Sequence, residues 1–498
     1  MIDSIKRRTL LQGSAAAAVL AATRGLTACT GSEPVDAGFS AGPPPSSRGP
    51  NSLPDPGKAA GTADTALPFD HVVVVMMENH SFDNYFGMLP LRGQPRAEGF
   101  RFDGKGVPAN SNPLQGGYQH AFHLQGTCQP GSVTQNWNST HKQIDGNRMD
   151  GFAATSTSAM GYWDEGDLPF YYSLARTFCL GNRCFASAPC QTYPNRRFLY
   201  AGTAQGMIST DSSTFSMPPP ANGTLMDMMS RYGVSWRSYF TDLPALAIVP
   251  QTLENHPQNF ATIAQFFADC AAGTLPAVSF VDPEFNIVST VGSPLFDALN
   301  GVAGKIPGLP AEVVDLINSL NTKVNAQGGS EENPDDVALG EAFVAGVVQA
   351  VMASPNWSRT LLVWTYDEHG GYYDHVPPAR VARPDDIPPD LGPSDIPGGY
   401  DITGLRVPTV VVSPYSKPNA VTDVMHDHTS IIATIAAKWN LPALTYRDAQ
   451  ANTLLDFLDL AAPPAFLTPP ALAAPAMATL GLGACQGAPP DPVISPTP

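Results

Sequence analysis

The chain has 498 residues, 43% of them apolar, enough to bury a large core, which excludes a disordered or fibrous protein. Charged residues are only 14%, prolines number 50, and the formal charge is −17. That balance excludes the basic face of a nucleic-acid binder and electrostatic docking on anionic lipid, and it predicts a loop-rich, acidic surface.

The first elements are targeting signals. Lys6, Arg7 and Arg8 precede Leu10-Leu11, a small apolar run from Ser14 to Thr23, and then Leu26-Thr27-Ala28-Cys29. The paired arginines predict twin-arginine export over residues 1–28, and Leu-Thr-Ala-Cys predicts a lipobox in which Cys29 is acylated. Such a protein is a cell-surface lipoprotein, or a secreted or periplasmic protein where the signal is simply cleaved. The apolar run is shorter than the roughly 20 residues that span a bilayer. Residues 29–66 hold almost no large apolar side chain and read as a disordered tether, and the Pro/Ala-rich residues 463–498 read as a tail.

Between them, residues 67–462 read as the catalytic body. Val72 to Met77, Leu361 to Tyr366 and Val407 to Val412 are short β-branched runs of the kind found in buried parallel strands. Asp336 to Ala353 and Ser430 to Trp439 have helical spacing, the first stopping before Ser354-Pro355 and the second near Asn440. The expected fold is α/β: a mostly parallel central sheet with helices on both faces, plus loop-rich insertions. Setting Cys29 aside, the even set Cys128, Cys179, Cys184, Cys190, Cys270 and Cys485 predicts up to three disulfides in an oxidising compartment. A zinc site at Cys179, Cys184 and Cys190 competes with this, but its spacing matches no common finger or ribbon.

In parallel sheets ligands bind beyond the carboxyl ends of the strands. The first strand runs into Glu78-Asn79 and the second into Asp367-Glu368-His369-Gly370-Gly371, so two strands deliver carboxylates to one edge. Carboxylate and amide oxygens suit one hard divalent cation such as Ca²⁺, Mg²⁺ or Mn²⁺. Ala188-Pro-Cys-Gln-Thr192-Tyr-Pro194 places Thr192 at the N-cap of a helix, where its hydroxyl faces the positive end of the dipole. A plain capping role is the competing reading.

Taken together, ENHSFDNYFG, QTYPNRRFLYAGT, YDEHGGYYDHVPP, LRVPTVVVSPYS and HDHTSII resemble the bacterial phosphoesterase family of non-specific phospholipases C and related acid phosphatases, over roughly residues 68–460. The resemblance implies an alkaline-phosphatase-like fold and a covalent phospho-enzyme. By position it makes Glu78, Asn79, Asp367 and Glu368 metal ligands, and Thr192 the nucleophile that also touches the metal. His141, His375 and His428 lie in family-like segments and are candidate proton donors. Arg196 is a candidate contact for a phosphate oxygen, against the plain reading of a surface helix arginine. Two histidines usual in the family are missing: Gln135 stands two residues before Trp137, and Asn333-Pro334 stands where a His-Pro pair is common.

The leading expectation is a phospholipase C acting on phospholipid phosphodiesters. An acid phosphatase acting on small phosphomonoesters is the runner-up, and a non-catalytic surface-binding lipoprotein the alternative from another class. A sulfatase-like esterase would need Cys or Ser at the position of Thr192.

Overall fold

Alternation along one strand decides the layering. In the computed structural model, which describes residues 48–129, 133–285, 331, 336–476 and 494–498, His71–Met77 forms β1, buried on both faces. The sheet continues with β2 (Cys179–Gly181), β3 (Trp236–Phe240), β4 (Phe260–Thr262), β5 (Val278–Val281), β6 (Thr360–Tyr366), β7 (Val410–Val412) and β8 (Ala420–Thr422). Its spatial order is β8-β2-β7-β6-β1-β5-β3-β4.

The helices used below are α1 (Phe82–Phe86), α2 (Trp137–Ile144), α3 (Thr192–Ala201), α4 (Ile263–Ala272), α5 (Val337–Ala353) and α6 (Thr429–Trp439). Val73, Val75 and Met77 of β1, with Leu362, Trp364 and Tyr366 of β6, pack on Phe82 and Phe86 of α1, Phe266 of α4 and Val344, Val347 and Val351 of α5. The intervening Val72, Val74, Met76, Leu361 and Val363 point the other way, onto Leu199 and Tyr200 of α3 and Ile431, Ile432 and Ile435 of α6. Each such side chain contributes about 1.5–3 kcal/mol by leaving water, so the β-branched runs are stable only with helices on both faces. This is the expected α/β architecture. Among the described residues, no helix is long and apolar enough to cross a membrane.

Helix boundaries follow local chemistry. Asp336 caps α5 by accepting from the Ala338 N–H, and α5 ends at Ser354, before Pro355. α6 starts at Thr429 and stops at Asn440, which takes a left-handed conformation.

Three expectations need correction. The run from Val407 is a strand only from Val410 to Val412, and it pairs antiparallel with β6 (Leu362 opposite Val412) and with β2. No helix lies between β6 and β7, and a strand reached without a crossover must run back. Three disulfides do not form either: Cys179, Cys184, Cys190 and Cys270 are free and buried, and of the described cysteines only Cys128 is disulfide-bonded. Each free thiol is packed in the apolar interior, which raises its pKa and leaves it a small hydrophobe.

Thirdly, the described part of the expected tether and tail is held against the body. The Asn51 N–H donates to the Ala443 carbonyl (2.7 Å), and Lys438 Nζ to the carbonyls of Asp64 (2.8 Å) and Leu67 (2.9 Å). Phe466 packs tilted against Phe178, 4.8 Å between centroids, and its carbonyl accepts from Trp357 Nε1 (2.8 Å). Composition registers missing apolar burial, but not backbone groups that find polar partners. The export signal, Cys29, Cys485 and Asn333-Pro334 lie outside the described residues.

Candidate active site

β1 and β6 pair in parallel register, Met77 opposite Tyr366, and the Asp367 N–H donates to the Met77 carbonyl at 3.2 Å. Glu78 and Asp367 therefore leave the sheet side by side. Asn79 follows with φ +79°, a left-handed conformation that asparagine tolerates better than most residues and that marks functional turns. The second acidic turn presses against it: a Cβ on Gly370, whose φ is +64°, would lie 1.9 Å from the Asn79 carbonyl oxygen. Only glycine lets the two strand ends approach this closely. All four predicted ligands, Glu78, Asn79, Asp367 and Glu368, are buried here.

Thr192 reaches the same edge from α3. It is the first helical residue, and Gln191 occupies the N-cap position expected for Thr192, with no capping side-chain bond. The Thr192 hydroxyl is not spent on a cap. It donates instead to Asn79 Oδ1 at 3.3 Å. Asn195 fixes the preceding loop: its Nδ2 donates to the carbonyls of Cys190 (2.8 Å), Gln191 (3.1 Å) and Ala188 (3.2 Å), and its Oδ1 accepts from the Ala188 N–H (2.9 Å). Pro194, in the first turn, removes an N–H that would have no helical partner.

Arg196 is neither a surface residue nor an open anion contact. It is 1% exposed. Its Nε donates to Asp367 Oδ2 (3.0 Å) and its Nη2 to the carbonyls of Met76 and Met77 (3.2 Å each), with Glu78 Oε1 at 3.6 Å and Asp282 Oδ1 3.8 Å from Nη1. Phe285 covers the guanidinium, ring centroid 4.8 Å away. Burial alone would lower its pKa, but the facing carboxylates of Asp367 and Glu78 raise it further. Burial raises Asp367, and it pushes Asp282 up to about 6 although Arg196 opposes the shift.

Asp282 was missed in the sequence, although Val278-Ser-Phe-Val-Asp282 has the same signature of a β-branched run ending in an acid. Gln143 and His369 were also missed. Gln143 Nε2 donates to the Thr134 carbonyl (2.9 Å) and Thr155 Oγ1 (3.0 Å), so its Oε1 faces His369 Nε2 at 2.8 Å. His369 Nδ1 lies 3.2 Å from Glu368 Oε2, which also accepts from the Gly370 N–H at 2.8 Å. No sequence spacing signals a link between residues 143 and 369.

The three predicted histidines belong to different networks, and none hydrogen-bonds Thr192. His428 Nε2 donates to the Tyr366 carbonyl (3.0 Å) beneath the second acidic end, and burial pushes its pKa down to about 4. His141 Nδ1 donates to the Trp137 carbonyl (2.7 Å) within α2, and burial lowers it too. His375 Nδ1 donates to Asp83 Oδ2 (2.6 Å), part of a cluster in which Arg406 bonds Asp83 (3.0 Å) and Asp374 (2.9 Å).

Among the described residues, three donor atoms within 4.8 Å of one another occur at Asp83, Asp374 and His375, and at His123, Asp164 and Asp167. Arginines already serve both groups, Arg406 in the first and Arg92 on Asp164 (3.0 Å) in the second. In the predicted set, too, an arginine serves the acids, Arg196 standing between Glu78 and Asp367. The donor chemistry of that set fits a hard divalent cation: three carboxylates, one amide oxygen and a hydroxyl, all on one edge.

The family model described as "Phosphoesterase family" matches residues 69–442, from the start of β1 to just past α6. The chain belongs to the Phosphoesterase family. It is accordingly a hydrolase acting on phosphoester bonds. Its relatives within that group include the Arabidopsis thaliana proteins named non-specific phospholipase C1, 30% identical over 78% of this chain and 70% of that one, and non-specific phospholipase C6, 28% identical over 80% and 74%. The non-hemolytic phospholipase C of Burkholderia pseudomallei is 28% identical over 76% of this chain and 56% of its own length. A solved structure described as a protein in the alkaline phosphatase superfamily from Vibrio parahaemolyticus is similar over 73% of this chain and 77% of that one, at 9% identity and TM-score 0.30.

Proposed function

We propose that this phosphoesterase is a phospholipase C that cleaves phospholipid phosphodiesters through a phospho-threonine on Thr192. The observation that carries the reading is the Thr192 hydroxyl, released from capping and bonded to Asn79 between two paired acidic strand ends. The phospholipase C relatives support the substrate class. Glu78, Asn79, Asp367, Glu368 and Thr192 would hold one divalent cation of the Ca²⁺, Mg²⁺ or Mn²⁺ type, which when bound neutralises phosphate charge and acidifies the hydroxyl.

Asn79 Oδ1 holds the Thr192 proton and so fixes the direction of the Oγ1 lone pairs. Thr192 Oγ1 gives its proton to water and forms the new bond to phosphorus as the bond to the glycerol oxygen breaks, and that oxygen takes up a proton and leaves as diacylglycerol. Water then breaks the P–O bond to Thr192 and releases the phosphorylated head group. Of the three histidines only His375 has its Nδ1 on a carboxylate, that of Asp83, which fixes the orientation of the ring, so it is our choice for the proton donor. Export and acylation at Cys29 would set the enzyme beside lipid.

The test is turnover of a choline phosphodiester and an aryl phosphomonoester by purified protein, with and without chelation, beside Thr192→Val. The expected result is diesterase activity that chelation abolishes and that Thr192→Val lowers by about 1,000-fold or more. Activity surviving both treatments overturns the mechanism. Turnover of the monoester alone makes the enzyme a phosphatase, and turnover of neither by metal-loaded protein favours a binding lipoprotein.

A further inference from the structure

Arg196 lies four residues after Thr192, one turn further along the same face of α3. Its fork binds groups from three strands: the Met76 and Met77 carbonyls and Glu78 at the end of β1, Asp367 at the end of β6, and Asp282 at the end of β5. Arg196 thus ties the nucleophile's helix to both acidic strand ends. The geometry points to Arg196 as a positioning residue, a clamp that sets where Thr192 and the strand-end carboxylates stand relative to each other, rather than a contact for the substrate phosphate. Its burial, and the commitment of Nε and Nη2 to Asp367 and two carbonyls, leave a substrate oxygen no approach to those donors, while the buried Nη1, without a hydrogen bond, faces Asp282 Oδ1 at 3.8 Å.

The planar fork matters more than the charge. A lysine at this position would keep the cation but could not reach two carbonyls and a carboxylate from one rigid plane. Asp282 is the clamp's far support, steadied in turn by the Ala245 N–H at 3.0 Å, and it stands outside the proposed ligand set.

This inference rests on the reading of Thr192 as nucleophile, and the experiment separates the two. Chelator-stripped wild type, Arg196→Lys, Asp282→Asn and Thr192→Val are compared for circular dichroism, Mn²⁺ binding by calorimetry, kcat and KM on a choline phosphodiester, and inhibition by inorganic phosphate. Folded Arg196→Lys is expected to lose about 100-fold in kcat and about 10-fold in Mn²⁺ affinity, with KM and phosphate inhibition within about 3-fold of wild type.

A rise in KM and in the phosphate inhibition constant with kcat preserved overturns the clamp, because that pattern belongs to direct anion binding. So does a variant with every parameter unchanged. Should Arg196→Lys fail to fold, Asp282→Asn decides: a smaller loss of the same kind, about 5-fold in kcat, supports the clamp, and wild-type kinetics overturn it. If Thr192→Val turns over normally, the nucleophile assignment falls, while Mn²⁺ affinity in Arg196→Lys still tests the placement of the carboxylates.

Discussion

At the scale of single residues, the buried acids carry the sharpest consequences. Glu331 accepts hydrogen bonds from the hydroxyls of Tyr171 (2.6 Å), Tyr85 (3.1 Å) and Tyr366, the residue just before Asp367. Burial pushes its pKa up to about 8 despite those donors, and Glu341 nearby, itself pushed up to about 7 by burial, reinforces the shift. An acid whose folded pKa is raised keeps its proton in the fold while the unfolded chain has already lost it. Its contribution to stability is complete below about 4.5 and falls as pH rises toward 8, by at most about 1.4 kcal/mol per unit. Urea denaturation at pH 5 and pH 8 is expected to show this loss in wild type and a smaller one in Glu331→Gln. Thr192→Ser keeps the hydroxyl and is expected to retain turnover within about 10-fold of wild type, measured on the same phosphodiester.

Glu78, Asn79, Asp367 and Glu368 were placed at strand ends from local signatures, whereas Thr192 was singled out by the family resemblance, and its expected place at the N-cap belongs to Gln191. Arg196 was legible as a residue of interest but not in its task. Whether an arginine meets solvent, phosphate or carboxylates depends on groups 76 to 367 residues into the chain that no spacing rule links to it.

At the scale of elements, the junction of the two acidic turns holds the site together. Gly370 sits at φ +64° with the Asn79 carbonyl where a Cβ would go. Gly370→Ala is expected to push the second acidic turn away from the first and to cost about 2 kcal/mol or more of stability. Thermal unfolding and Mn²⁺ titration check it, with both melting temperature and affinity expected to fall. The helices over 337–353 and 429–439 were readable to within a residue from their spacing and their stop signals. The direction of β7 was not, since a short valine run looks the same whichever way it pairs.

Over the whole molecule, charge and the terminal segments set the expectations. A divalent cation held by the proposed ligand set would stabilise the folded state, so chelation is expected to lower the melting temperature and added Ca²⁺ or Mn²⁺ to restore it. Differential scanning fluorimetry reads this without any activity assay. Removing residues 463–498 deletes the Phe466 contacts with Phe178 and Trp357 and the hydrogen bond from the Ala476 N–H to Glu341 (2.7 Å). The truncated protein is expected to melt about 2–5 °C lower, with kcat within about 2-fold of wild type.

By itself the sequence determined the α/β class and the oxygen-rich character of the residues gathered at the carboxyl edge of the sheet. These follow from periodicity, turn residues and side-chain chemistry, which act over a few residues. Only the tertiary structure decided that β7 runs backward, that four cysteines stay free, that Thr192 sits inside its helix rather than capping it, and that Arg196 is buried against three strand ends. Those outcomes depend on which distant groups share a desolvated space, where pairing and burial set the energies of charges and hydrogen bonds.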